Sequence, residues 1–143
     1  MPTTPIRTLG TNAATRMTHF AEELARTKTE RHQKVQEFFL INDTATISTE
    51  VPVYLYRNEA KDLNLDHHLV GHIDMVQVRN NRVHILDYKP DGHLNEKTTI
   101  NKLTLYAIAL QKRTNIRKCH FTCAYFNSSS YTELEPFTSL LDS

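Results

Sequence analysis

The sequence predicts an α/β domain built on a central mixed β-sheet flanked by helices, and three observations carry that prediction. Residues 69–78 and 83–86 form apolar alternating runs on either side of Asn80 and Asn81, a dipeptide that tolerates the positive φ of a two-residue hairpin turn. Segments with helical spacing of apolar side chains stand before and after this hairpin. Two more strand-like runs, at 47–56 and 118–126, complete the order helix, strand, strand, strand, helix, strand, which a layered α/β domain accommodates. The length, 143 residues, suits one domain able to bury a core without staples.

Residues 1–15, with Pro2, Pro5 and several threonines, read as a flexible arm, leaving 16–143 as the single domain. From Thr15 or Thr18 the pattern turns helical, and one long helix or two shorter ones fit equally well. On its second half His32 shares a face with Val35 and Phe39, the face that should look inward. Asn42 and Asp43 mark a turn. In the strand at 47–56, Ile47, Thr49, Val51, Val53 and Leu55 share one face and Glu50 points the other way; Pro52 removes a backbone donor, so the strand belongs at an edge or carries a bulge near Glu50. Residues 57–68 form a polar surface loop. After the hairpin, Pro90, Asp91 and Gly92 break the strand, and a helix from about 98 to 112, capped by Thr98 or Thr99, carries an apolar stripe of Ile100, Leu103, Ala107 and Leu110. A strand at 118–126, a turn at 127–130 and a short strand at 131–135 close the chain.

The hairpin register concentrates charge at one end. With Asn80 and Asn81 as the loop, Val78 faces Val83, Val76 faces Ile85, Asp74 faces Asp87 and His72 faces Lys89, all on one side of the sheet. Directly opposed carboxylates stand with Cβ atoms roughly 5 Å apart, an arrangement sheets avoid. At an effective dielectric near 20 they repel by roughly 3 kcal/mol, so something must compensate. A hard divalent cation bound by oxygen ligands does so, and an exposed face on which Lys89 bridges the acids does so equally well.

Gly71-His72-Ile73-Asp74, then Asp87-Tyr88-Lys89 after a hairpin, then Lys102 to Tyr106 on a helix, resemble the PD-(D/E)XK nuclease superfamily, and most closely its RecB-like branch with the pattern Gly-x-x-Asp, Asp-x-Lys, Gln-x-x-x-Tyr. The resemblance spans about residues 29–110 and implies a restriction-endonuclease-like fold with an α-β-β-β-α-β core. It also implies a nuclease dependent on Mg2+ or Mn2+, with DNA as substrate. In that reading Asp74, Asp87 and Lys89 are catalytic. The metal is held by Asp74, Asp87 and the backbone carbonyl of Tyr88, with His32 from the preceding helix and Glu50 as further candidates. Lys102, standing where the family usually has glutamine, and Tyr106 are candidate substrate contacts, the lysine as a point charge for a phosphate. Lys28 replaces a glycine usual in the family four residues before the histidine.

Composition narrows the alternatives. A net charge of +1 leaves no overall electrostatic signature of nucleic-acid binding, although basic residues gather at Arg26, Lys28, Arg31 and Lys34 and again at Lys112, Arg113, Arg117 and Lys118. No apolar run is long enough to span a membrane and the N-terminus lacks the core of a signal peptide, so an intracellular protein without membrane partners is expected. Cys119 and Cys123 lie roughly 13 Å apart along a strand, beyond disulfide reach; buried thiols are expected, and two cysteines cannot supply the four ligands of an iron–sulfur cluster. The remaining histidines, His67, His68, His84, His93 and His120, show no ligand spacing and are expected at the surface. Three other functions stay open: a catalytically inactive nucleic-acid-binding module, a structure-selective endonuclease of the junction-resolvase type acting as a homodimer, and an interaction protein with an acidic surface hairpin.

Overall fold

The computed structural model describes residues 6–90 and 96–137. Its centre is the hairpin of β3 (Leu69–Arg79) and β4 (Arg82–Tyr88). Asn80 and Asn81 take φ of 53° and 61°, the left-handed conformation that a two-residue hairpin loop requires. The pairs Val78–Val83, Val76–Ile85 and Met75–Leu86 hold the expected register. At Met75–Leu86 the ladder ends, and the two strands part. β3 runs on beside β2 (Thr46–Leu55), pairing Ile73 with Val51 and Gly71 with Val53. β4 runs on beside β5 (Phe121–Phe126) in parallel, pairing Asp87 with Tyr125 and Tyr88 with Phe126. His72 therefore faces Pro52 rather than Lys89, which corrects that expected pair. Asp74 and Asp87 stand at the mouth of the fork.

Among the described residues the sheet has six strands in the order β1-β6-β5-β4-β3-β2, where β1 is Ile6–Thr8 and β6 is Tyr131–Leu134. Only β4 and β5 run parallel, so the sheet is mixed. The expected arm is anchored in part: Ile6–Thr8 pairs with Leu134 to Thr132 and forms one edge, while residues 1–5 lie outside the described residues. β2 forms the other edge, where the missing donor of Pro52 costs no ladder bond.

Helices cover both faces because side chains alternate along the strands. On one face Val83, Ile85, Cys123 and Tyr125 pack with Leu103, Ala107 and Ala109 of α3 (Glu96–Thr114). On the other, Leu86, Tyr88, Ala124 and Phe126 pack with Ala21 of α1 (Ala13–Glu23) and with Val35 and Phe39 of α2 (Lys28–Asn42). There are two N-terminal helices because each has its own cap: Asn12 forms a capping box with Thr15, and Thr27 accepts the amide of Glu30. The first cap moves the helical start to Ala13, ahead of Thr15. α3 already includes Thr98 and Thr99, so neither is its cap; Asp91, Gly92, His93 and Asn95 lie outside the described residues. Among the described residues no helix is long and apolar enough to cross a membrane.

Three expectations about orientation are corrected. In β2 the single-face pattern fails at Glu50, whose φ of 51° interrupts the alternation: Val53 and Leu55 are buried against α3, whereas Thr49 pairs with Met75 of the opposite core and Ile47 is exposed. Cys119 is exposed because residues Lys118–His120 form a 3-10 turn and the strand begins only at Phe121; Cys123 is buried. His84 is buried on the α1–α2 side of the sheet at 5% exposure, where Leu86 and Tyr88 also point.

His84 gives the fold a pH dependence. Burial, and then the charges of Arg79 and Arg82, depress its pKa from 6.5 to about 4, and its Nε2 has no hydrogen-bond partner among the described residues. The folded protein thus holds the ring neutral where the unfolded chain protonates it, so its contribution is intact above pH 6.5 and is lost as pH falls towards 4. Thermal unfolding of the wild type should show a lower midpoint at pH 5 than at pH 7, and His84→Gln should reduce that difference. Parallel decreases in the two proteins would assign the effect to other groups.

Candidate active site at the fork of the hairpin

Asp74 is held by what the fork leaves open. Where β3 and β4 separate, the amide of Tyr88 loses its place in the ladder, and it donates to Oδ2 of Asp74 at 3.0 Å. The same oxygen lies 2.8 Å from Nε2 of His32, which α2 brings over the sheet. One turn further along α2, the amide of Gln36 donates to the backbone carbonyl of Asp74 at 3.2 Å and to Oε1 of Glu50 at 2.7 Å. A single side chain thereby ties both irregular strands together. The pairs Thr49–Met75 and Val51–Ile73 place Glu50 level with Asp74. Its left-handed backbone is uncommon for a residue with a Cβ and costs on the order of 1 kcal/mol.

Asp87 is the more deeply placed carboxylate, with 6% of its side chain exposed. Nζ of Lys102 lies 2.9 Å and Nζ of Lys89 3.4 Å from its Oδ2. Both ammonium groups form ion pairs with this buried oxygen, Lys102 the closer. Lys102 reaches it from α3 on one side, while His32 reaches Asp74 from α2 on the other. The two carboxylates are thus flanked by cationic or imidazole groups from both helical layers.

Their protonation follows from these neighbours. Burial raises the Asp87 pKa and the adjoining Asp74 carboxyl raises it further, while Lys102 works in the opposite sense. Burial also acts to raise Asp74, but the hydrogen bond with His32, the adjoining Asp87 carboxyl and the amide of Tyr88 outweigh it and bring its pKa below the ordinary value. The bond to Asp74 raises the His32 pKa against the effect of burial. Lys102 is raised as well, because Asp87 outweighs the cost of burying the ammonium. Two carboxylates driven apart in this way titrate as a pair, with Asp87 the one that gains a proton first.

The surrounding side chains fix these positions. The Tyr88 ring packs 5.2 Å from the His32 imidazole and 5.7 Å from the Phe126 ring, and its hydroxyl donates to the Glu22 carboxylate of α1. Gly71 is required by close approach: a Cβ there would stand 2.8 Å from Cε1 and Cζ of Tyr106 and would meet its hydroxyl. Lys102 lies one turn before Tyr106, its Nζ 6.0 Å from that ring. The Gly71–Tyr106 contact thus lies one helical turn from Lys102, which reaches Asp87.

Of the residues singled out in the sequence, Asp74, Asp87, Lys89, His32 and Lys102 meet at the fork. Glu50 joins through Gln36, and Tyr106 touches Gly71 rather than the carboxylates. The amide of Tyr88 donates to Asp74. Gln36 and Glu22 escaped sequence reasoning; the first stands four residues after His32 on the same helix face, which is a usable cue, whereas Glu22 has none. Among the described residues no three His, Cys, Asp or Glu side chains are arranged as a ready-made metal site.

The family model of the PD-(D/E)XK nuclease superfamily matches residues 6–136, almost the whole chain. No curated protein matches it.

The His32–Asp74 bond has a direct spectroscopic consequence. In the protein without added metal, the His32 imidazole should titrate above 6.5, and Asp74→Asn should lower its midpoint. NMR of the ring C–H resonances measures both; an unchanged midpoint in the variant would show that Asp74 does not hold the proton on His32.

Proposed function

The chain belongs to the PD-(D/E)XK nuclease superfamily, and from that premise we propose that it is a divalent-metal-dependent nuclease of the RecB-like branch that hydrolyses phosphodiester bonds in DNA. The observation that carries this reading is the juxtaposition at the fork of Asp74, Asp87 and Lys89, with Lys89 beside Asp87. Members of this superfamily generally use Mg2+ or Mn2+.

The residues fit such an ion. Two oxygen-donor side chains adjoin, and the closeness of Asp74 raises the pKa of the buried Asp87, a repulsion that a cation between them would offset. Magnesium commonly takes only one or two carboxylates and fills its remaining positions with water and substrate phosphate, so a closed set of three protein side chains is not required. Asp74 and Asp87 would hold it, with the Tyr88 carbonyl, His32 and Glu50 as further ligands. When bound, the metal supplies Lewis acidity at the scissile phosphate and acidifies a water molecule.

The chain's own groups do the rest. Lys89 orients the attacking water, assists loss of its proton and offsets charge on the phosphate. Lys102 neutralises Asp87 when no cation is present and offers a point charge to a substrate phosphate once that carboxylate is otherwise engaged. The hydrogen bonds of Gln36 and Tyr88 hold Asp74 and Glu50 in place without needing to rearrange.

Cleavage of linear DNA by the purified protein in Mg2+ or Mn2+ should cease on chelation. Asp87→Asn and Lys89→Ala should each abolish it, a barrier increase of about 4 kcal/mol or more, while the far-UV spectrum and a cooperative melt are retained. Cleavage at wild-type rates by either variant would sink the assignment.

A further inference from the structure

A row of exposed side chains leads away from the carboxylates along the β2 edge. Val53 and Leu55 are buried at 2% and 0%, so Pro52 and Tyr54 turn to the opposite face, followed by Tyr56 just beyond the strand. On β3, His72 pairs with Pro52 and Val70 with Tyr54. Tyr54, Tyr56 and Val70 are 42%, 49% and 77% exposed along this edge of the sheet. The row begins at Glu50 and Asp74 and continues for six residues, about 20 Å, to Tyr56.

The rings in this row are fixed in place. Tyr54 and Tyr56 lie 5.2 Å apart, and His68 meets Tyr56 edge-on at 5.2 Å while its Nδ1 accepts the amide of Arg57. The guanidinium of Arg113 stacks 4.2 Å from the Tyr54 ring and is itself held by an ion pair with Glu59. Half-exposed aromatic surface of this kind, already ordered, loses little entropy on meeting a planar ligand.

We infer that this row is a stacking platform for the unpaired bases of a single-stranded nucleic acid whose backbone enters at Asp74 and Asp87. The inference rests on the nuclease reading, since it is continuity with the carboxylates that selects the occupant. Bases in a duplex are already stacked on one another, whereas an unpaired base offers its face to a ring irrespective of sequence. Arg113 contributes as a second stacking plane and a cation behind the first ring. The platform thus assigns to the site a preference for single strands over duplex.

The chain has six tyrosines and no tryptophan, and two of the six, Tyr54 and Tyr56, lie in the row, so tyrosine emission includes a signal from it. Oligo(dT) and oligo(rU) titrated into Asp87→Asn protein, which binds without cutting, should quench that emission. Adding Tyr56→Ser should weaken binding of whichever oligonucleotide is bound by about tenfold, Tyr56→Phe should restore it, and binding of a blunt duplex should be unaffected by either change. Unaltered oligonucleotide affinity in a folded Tyr56→Ser protein, or an equal loss for duplex, would overturn the platform. Wild-type protein with manganese should also hydrolyse bis(p-nitrophenyl) phosphate, a small diester that has no bases. Inactivity there contradicts the nuclease reading, whereas activity there combined with Tyr56-independent binding overturns the platform alone.

Discussion

Repulsion between the carboxylates of Asp74 and Asp87, which raises the pKa of the buried Asp87, is the constraint to which the neighbouring structure answers. Compensation comes from both sides of the sheet. α2 supplies His32 to Asp74, α3 supplies Lys102 to Asp87, and the hairpin itself supplies Lys89 and the amide of Tyr88. The contacts of His32, Lys102 and the Tyr88 amide also raise or lower a protonation equilibrium, so they help set the charge of the site.

The fork between β3 and β4 is what allows the two acids to be neighbours without belonging to one regular ladder. β4 leaves β3 for its parallel partner β5, and β3 remains with the edge strand β2. The amide set free at Tyr88 finds Asp74, and the irregularity in the two edge-side strands is bridged by Gln36. The left-handed Glu50 is one cost of this geometry, of the kind that tends to be stored where function needs a side chain aimed off the regular pattern. On α3's side, the missing side chain of Gly71 leaves room for the Tyr106 ring.

Much of this was legible in the sequence because it is local. Asn80-Asn81 determined the turn, the turn determined the register, and the register brought Asp74 to Asp87; the helical period placed His32 and Lys102 on approaching faces. What escaped was non-local. Simple alternation carried the hairpin past Met75–Leu86 and paired His72 with Lys89, because nothing in either strand announces that β5 competes for β4. The same rule put Ile47, Thr49 and Val51 on one face, since a positive φ at a glutamate has no sequence signature. The strand at Ile6–Thr8 was invisible for its length: three residues become a strand only when β6 provides the partner. The burial of His84 has no cue in its spacing, because it arises from a place in the middle of the sheet between β3 and β5.

The account stands on the two aspartates being the centre of a divalent-cation site rather than a charged corner neutralised by lysines alone. Calorimetric titration of Mg2+ and Mn2+ into the wild-type protein and into Asp74→Asn and Asp87→Asn tests this most directly. The wild type should bind, and each substitution should weaken binding by about 100-fold, equivalent to about 2.7 kcal/mol. Absence of binding to the wild type, or undiminished affinity in the two variants, would contradict it.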